Sequence, residues 1–176
     1  MKLSEFTLRC CTPDDADTLS LIGQATFLGT YAGIVDGRDI LAHCQKMHSS
    51  ATYANWLAQP TARAYLVEAP PGNAPIGYLL LDEADLPVPA PQPTDYEIKR
   101  IYVLHRFQGA GLGSRLMEQA IATARGLSRT RLLLGVYGKN TAALAFYARH
   151  GFQQISTRRF HVGHSIYDDA VLARPV

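Results

Sequence analysis

The densest chemistry in this sequence lies at residues 97–114, where an apolar, β-rich run ends in Gln108-x-x-Gly111-x-Gly113 and a helical pattern begins at once. Glycines between a strand and a helix let backbone N–H groups approach an anion, and the helix N-terminus adds the positive end of its dipole. A phosphate-bearing ligand is therefore expected on the turn formed by Gln108, Gly109, Ala110, Gly111, Leu112, Gly113 and Ser114. A Walker loop would need lysine and then serine or threonine after the last glycine, and Ser114-Arg115 stands there instead. A dinucleotide fingerprint read from Gly109 lacks its third glycine. It also lacks the acidic residue expected about 20 positions on, because residues 119–140 contain no Asp or Glu.

Strand, Gln-x-x-Gly-x-Gly and helix resemble the pyrophosphate loop of the GNAT family of N-acetyltransferases. A second segment, Asn140-x6-Tyr147-x3-Gly151-Phe152, resembles the family's stretch after the fifth strand. The resemblance implies an acetyl-CoA-dependent N-acetyltransferase that uses no metal. It acts on a primary amine by direct attack in a ternary complex. Coenzyme A must be held, the amine must lose a proton, the oxyanion needs a donor and the leaving thiolate needs a proton.

The resemblance assigns the coenzyme to residues 108–114, the oxyanion donor to the Val103 backbone N–H, and the edge beside it to Tyr102 and Leu104. Asn140 and Tyr147, seven positions apart, share one helical stripe. Asn140 is expected to cap its helix and touch the pantetheine arm, and Tyr147 to protonate the thiolate. A phenol of pKa ~10 is a plausible donor to an alkyl thiolate of pKa ~8.5. Glu97 is the candidate base, drawing the amine proton through water. Period-two alternation places it on one strand face with Lys99, Ile101 and Val103. Phe27 and Tyr31, in a Thr-Phe-x-x-Thr-Tyr run, are expected to wall the acceptor together with Glu97. That run and Phe160-x-Val-Gly163-x-x-x-Tyr167-Asp168 are similar to a bacterial subgroup that includes polyamine acetyltransferases of the PaiA type. Asp36, Asp39 and Tyr53 would suit a cationic amine, and they suit caps and core packing equally.

These residues need elements to carry them. A strand is expected at residues 6–11, then a helix from Pro13 to about Gly29 with Leu19, Ile22 and Phe27 inward. One or two helices follow over 39–56. Strands at 64–68 and 75–81 flank the turn Pro70-Pro71-Gly72-Asn73, and four prolines in 87–93 enforce a loop. A strand over 95–104, a helix over 111–125, a strand over 131–137, a helix from Asn140 to Gly151 and strands at 152–160 and 165–173 complete the chain. Asp168 and Asp169 are expected on an exposed edge or bonded to backbone, and His161 and His164 in a solvated turn. The order implies an α/β fold of the GNAT acyl-CoA N-acyltransferase type, a mixed central sheet of six to seven strands flanked by helices.

The 176 residues fit a single domain over 1–176, and 47% hydrophobic with 18% charged residues is ordinary for a globular chain. A net charge of +2 is too small to argue for nucleic acid or an anionic membrane as partner, and neither is expected. Three cysteines, Cys10, Cys11 and Cys44, lack metal-site spacing and read as packing residues. None lies on the central strands or the loop, which argues against an acetyl-cysteine route. No apolar stretch approaches 18 residues and the N-terminus has no apolar leader core, so a cytoplasmic protein is expected. Open sheet edges in this fold allow a homodimer. A protein N-terminal or lysine acetyltransferase, or a non-catalytic acyl-CoA-binding module, is the alternative reading.

Overall fold

The structure is a computed structural model and describes residues 3–176. Seven strands form one sheet in the order β1-β2-β3-β4-β5-β7-β6. They are β1 (Thr7–Cys10), β2 (Arg63–Ala69), β3 (Ala74–Glu83), β4 (Asp95–Val103), β5 (Arg131–Tyr137), β6 (Gln153–Val162) and β7 (Ser165–Pro175). The helices are α1 (Ala16–Tyr31), α2 (Gly37–Met47), α3 (Ser50–Leu57), α4 (Leu112–Gly126) and α5 (Thr141–Arg149). The segment expected to hold one or two helices holds two. Ser49 ends the uncertainty by turning the chain and accepting the Thr52 N–H at 3.1 Å, an N-cap that starts α3 anew. Among the described residues no helix is long and apolar enough to cross a membrane.

All neighbouring strands are antiparallel except β4 and β5. One sheet face packs α4 and α5 against Leu79, Leu81, Ile98, Leu132 and Leu134. The other carries α1 and α3 against Leu66, Tyr78 and Leu80, with α2 reaching Val162 of β6. Leu19, Ile22 and Phe27 of α1 are buried as their spacing predicts.

Two expectations fail here. Asp168 and Asp169 do not lie on an edge, because β7 inserts between β5 and β6 and leaves β6 outermost. Asp169 is consequently buried, and it bonds the Arg158 side chain at 3.1 Å. Glu97 and Val103 do not share a face either. The β3–β4 register shifts between Leu80 and Leu81, so that Leu80 pairs with Arg100 and Leu81 with Ile98, leaving Lys99 as an extra residue. Such a bulge inverts the alternation beyond it. Val103 and Ile101 consequently face α4, whereas Glu97 shares the α1 side with Arg100 and Tyr102.

Beneath α1 a buried polar chain crosses the apolar layer. His48 Nδ1 lies 2.9 Å from the Tyr53 hydroxyl, which donates to the Tyr78 hydroxyl at 3.1 Å. Ser20 of α1 donates to the His48 carbonyl at 2.6 Å. Only a glycine fits above this chain: a Cβ on Gly23 would overlap the Tyr53 hydroxyl and come within 2.5 Å of His48 Nδ1.

Candidate acetyl-transfer site

The site begins as a gap in the sheet. β4 pairs with β5 only through Asp95, Tyr96 and Glu97, whereas β5 pairs along its whole length with β7. From Ile98 onward the two parallel strands diverge and open a wedge toward their C-terminal ends, where ligands enter open α/β sheets. The Leu104 N–H donates to Ile76 on the β3 side at 2.8 Å. Alternation along the backbone therefore turns the N–H and C=O of Val103 the other way, into the wedge. The sequence-predicted oxyanion donor thus faces open space between the strands.

Residues 108–114 stand at one side of the wedge mouth. Gly109 and Gly111 take φ of +81° and +82°, left-handed values that favour glycine. Gly111 is the N-cap of α4, one residue before the helix proper, and no side chain caps it. By contrast Asp36, Ser49 and Asn140 each cap their helix through a side-chain oxygen. The first turn of α4 also lacks an acidic residue. Its leading N–H groups are thus left for an anion. Gln108 lies at the loop's start, where its side-chain amide donates to the Val103 carbonyl at 3.1 Å and ties the loop to the end of β4. Arg115 reaches the Phe6 carbonyl at 2.7 Å instead of extending into solvent, while exposed Arg106 stacks on Phe107.

A Cβ on Gly111 would make only ordinary contact, 3.7 Å from Leu3, so the cost of a side chain there is backbone strain. Flattening of the loop in Gly111→Ala is expected to weaken acetyl-CoA binding about tenfold, or ~1.4 kcal/mol. Calorimetric titration reads this, and an unchanged Kd would show that the pyrophosphate does not use this turn.

α5 forms the other side of the mouth. Asn140 accepts the Ala143 N–H at 3.1 Å, capping the helix as expected and leaving its amide NH2 for other partners. Tyr147 is buried, edge-on to Phe152 at 5.9 Å and to Phe146 at 5.4 Å. Burial pushes its phenol well above the ordinary value, so it stays protonated through the physiological range.

The residues expected to wall the acceptor lie on the opposite face of the sheet. Phe27 and Tyr31 of α1 come together with ring centroids 4.6 Å apart, and Phe27 stacks on His43 of α2 at 4.3 Å. His43 and Phe160 of β6 are edge-on at 6.0 Å. Burial and then the Arg100 guanidinium keep the His43 imidazole neutral, lowering it to about 4. Glu97 is buried and accepts from Lys99 Nζ at 2.8 Å and from the Asp85 N–H at 3.1 Å. Burial raises its pKa against the opposing Lys99 charge.

Sequence reasoning missed His43, Arg100 and Arg158 on this face and misplaced Asp169. None belongs to a local motif, and only the packing of α2, β6 and β7 assembles them. Asp36 and Asp39 do not reach the wedge. Asp36 caps α2 by accepting the Arg38 N–H at 2.8 Å, and Asp39 accepts the His164 N–H at 3.2 Å and the Ser165 hydroxyl at 3.3 Å. The acidic support for a cationic acceptor is therefore engaged in holding α2 and the β6–β7 turn.

Comparison with known proteins identifies the family. The family described as Acetyltransferase (GNAT) matches residues 35–152. An uncharacterized N-acetyltransferase of Mycobacterium tuberculosis is 32% identical over 160 residues, 91% of this chain and 97% of the relative. The N-alpha-acetyltransferase RimI of the same organism is 40% identical over a shorter stretch of 67 residues, 38% of this chain and 40% of its own. The PaiA N-acetyltransferase of Thermoplasma acidophilum, solved in complex with coenzyme A, superposes with a TM-score of 0.80 at 18% identity, over 97% of this chain and 99% of that one. The chain therefore belongs to the GNAT family of acetyltransferases and is an acetyl-CoA-dependent acyltransferase.

Proposed function

We propose that this single domain acetylates the primary amine of a small molecule by direct attack on acetyl-CoA in a ternary complex. The carrying observation is the wedge between β4 and β5, with the free N–H groups of α4 at one side of its mouth and Tyr147 at the other. The pyrophosphate rests on residues 108–114, the pantetheine runs along the unpaired edge of β4 past Tyr102, Val103 and Leu104, and the Asn140 amide contacts that arm. The amine approaches from the α1 face, against the wall formed by the paired Phe27 and Tyr31 rings. Its attack forms the C–N bond, the Val103 N–H meets the developing oxyanion, and the C–S bond breaks as Tyr147 protonates the sulfur. A preorganised donor of this kind contributes about 3 kcal/mol. The phenol recovers a proton from solvent, which receives the one released by the amine.

Glu97 is the base in this scheme and acts through water, because five residues of β4 separate it from Val103. Its raised pKa places the acidic limb of kcat/KM above the ordinary glutamate range, since the base works only when ionised. Glu97→Gln is expected to lower kcat/KM about a hundredfold and to remove that limb. A pH profile that keeps the limb in the variant would exclude Glu97 as the base.

The local likeness to RimI supports a second reading, in which the acceptor is the N-terminal amine of a protein. Thiol release with acetyl-CoA against small amines and short peptides with free N-termini separates the two. Turnover of peptides alone would select the second. Binding of acetyl-CoA without turnover of any amine would leave a non-catalytic binding module.

A further inference from the structure

Three cations of β4 and β6 lie on the acceptor face, and two of them are neutralised. Lys99 Nζ is 2.8 Å from Glu97 and 3.0 Å from Asp85, and Arg158 is 3.1 Å from Asp169. Arg100 forms no salt bridge among the described residues. One terminal nitrogen, Nη2, donates to the Met47 carbonyl at 2.6 Å, and the guanidinium lies 5.0 Å from the centre of the Tyr53 ring. The other, Nη1, is shielded from solvent and has no hydrogen-bond partner among the described residues. Its titratable neighbours are neutral: the phenols of Tyr53, Tyr78 and Tyr102 and the imidazoles of His43 and His48. A largely desolvated cation without an anion is costly, and natural proteins normally pair such charges.

Arg100 also lies along β4 from the proposed oxyanion donor. It shares a face with Tyr102, and three steps along the strand, about 10 Å, carry its Cα to that of Val103. The arginine side chain and an amino-acid-sized molecule together span such a distance. Resting on the transferase reading above, we infer that the acceptor carries a carboxylate as well as its amine and that Arg100 receives the carboxylate. A guanidinium matches a planar carboxylate in shape and charge. A phosphate dianion would call for a second free cation, and Lys99 and Arg158 are already paired. A polyamine would set a further positive charge against Arg100 with no free carboxylate nearby.

The test compares α- and ω-amino acids with their own carboxamides, with a diamine included, using thiol release from acetyl-CoA. Each pair keeps the amine and removes the anion. Amidation of an α-amino acid lowers the basicity of its amine, so an unselective enzyme would favour the amide. Wild-type protein is expected to prefer at least one amino acid over its amide by about tenfold or more in kcat/KM. Arg100→Gln is expected to erase that ratio through KM, with kcat and the Kd for acetyl-CoA unchanged, and Arg100→Lys to retain part of it. A wild-type ratio at or below one in every pair would overturn the inference without need of any variant, as would a ratio that survives Arg100→Gln. Turnover of amides or diamines in those cases leaves the transferase reading standing. Absence of turnover with every amine, despite bound acetyl-CoA, removes both.

Discussion

Replacing Tyr147 with phenylalanine is expected to lower kcat about a hundredfold while the Kd for acetyl-CoA stays within about twofold. The phenyl ring retains the contacts with Phe146 and Phe152, so packing around α5 is conserved. What disappears is the hydroxyl, and with it the proton for the leaving sulfur. Because burial holds this phenol protonated, its loss should cost the same factor throughout the neutral range and leave the pH profile otherwise unmoved. The decisive measurement pairs single-turnover kinetics with calorimetric titration. A variant with unimpaired turnover would show that water or another group protonates the thiolate, and that Tyr147 serves packing alone.

The second large effect concerns stability. Gly23→Ala should destabilise the fold by about 3 kcal/mol, because overpacking and a broken buried hydrogen bond act together. Alanine is normally the better helix former, so propensity alone predicts a gain of about 1 kcal/mol in the middle of α1. The geometry predicts the opposite sign: the added methyl collides with the Tyr53 hydroxyl and His48. Parting them leaves His48 Nδ1 or the Tyr53 hydroxyl without its partner in an apolar layer. Urea denaturation followed by circular dichroism measures the shift. In Gly23→Ala combined with Tyr53→Phe the colliding oxygen is absent, so the two losses should fall short of additivity. A stabilised Gly23→Ala protein would contradict the placement of α1 on α3.

The elements were legible in the sequence because each is signalled locally. The glycines at 109, 111 and 113, the apolar stripe Leu112, Leu116, Met117, Ala120 and Ala124, and Asn140 before α5 all act within a few residues of chain. The loop and uncapped helix N-terminus proposed to hold the coenzyme could be read for the same reason. The acceptor half could not. One residue added at Lys99 inverted the facing of Glu97 relative to Val103, and nothing in an alternating pattern announces such an addition. Asp36 and Asp39 suited a cationic ligand by composition, yet Asp39 meets Ser165 across 126 positions of chain. Arg100, Arg158, His43 and Asp169 acquire meaning only through strand order, which hydrophobic spacing does not encode.

The insertion of β7 between β5 and β6 has a consequence for how the chain matures. A ribosome delivers β6 before β7, yet β6 hydrogen-bonds to the sheet only through β7. Strands β1 to β5, with α4 and the coenzyme loop, can settle while the remainder is still being synthesised, but β6 must wait unanchored for its partner. The acceptor wall closes in the same late step, since Arg158, Phe160 and Asp169 all belong to that hairpin. On the proposed assignment of the site, a nascent chain would thus complete its coenzyme loop before the wall that chooses the amine.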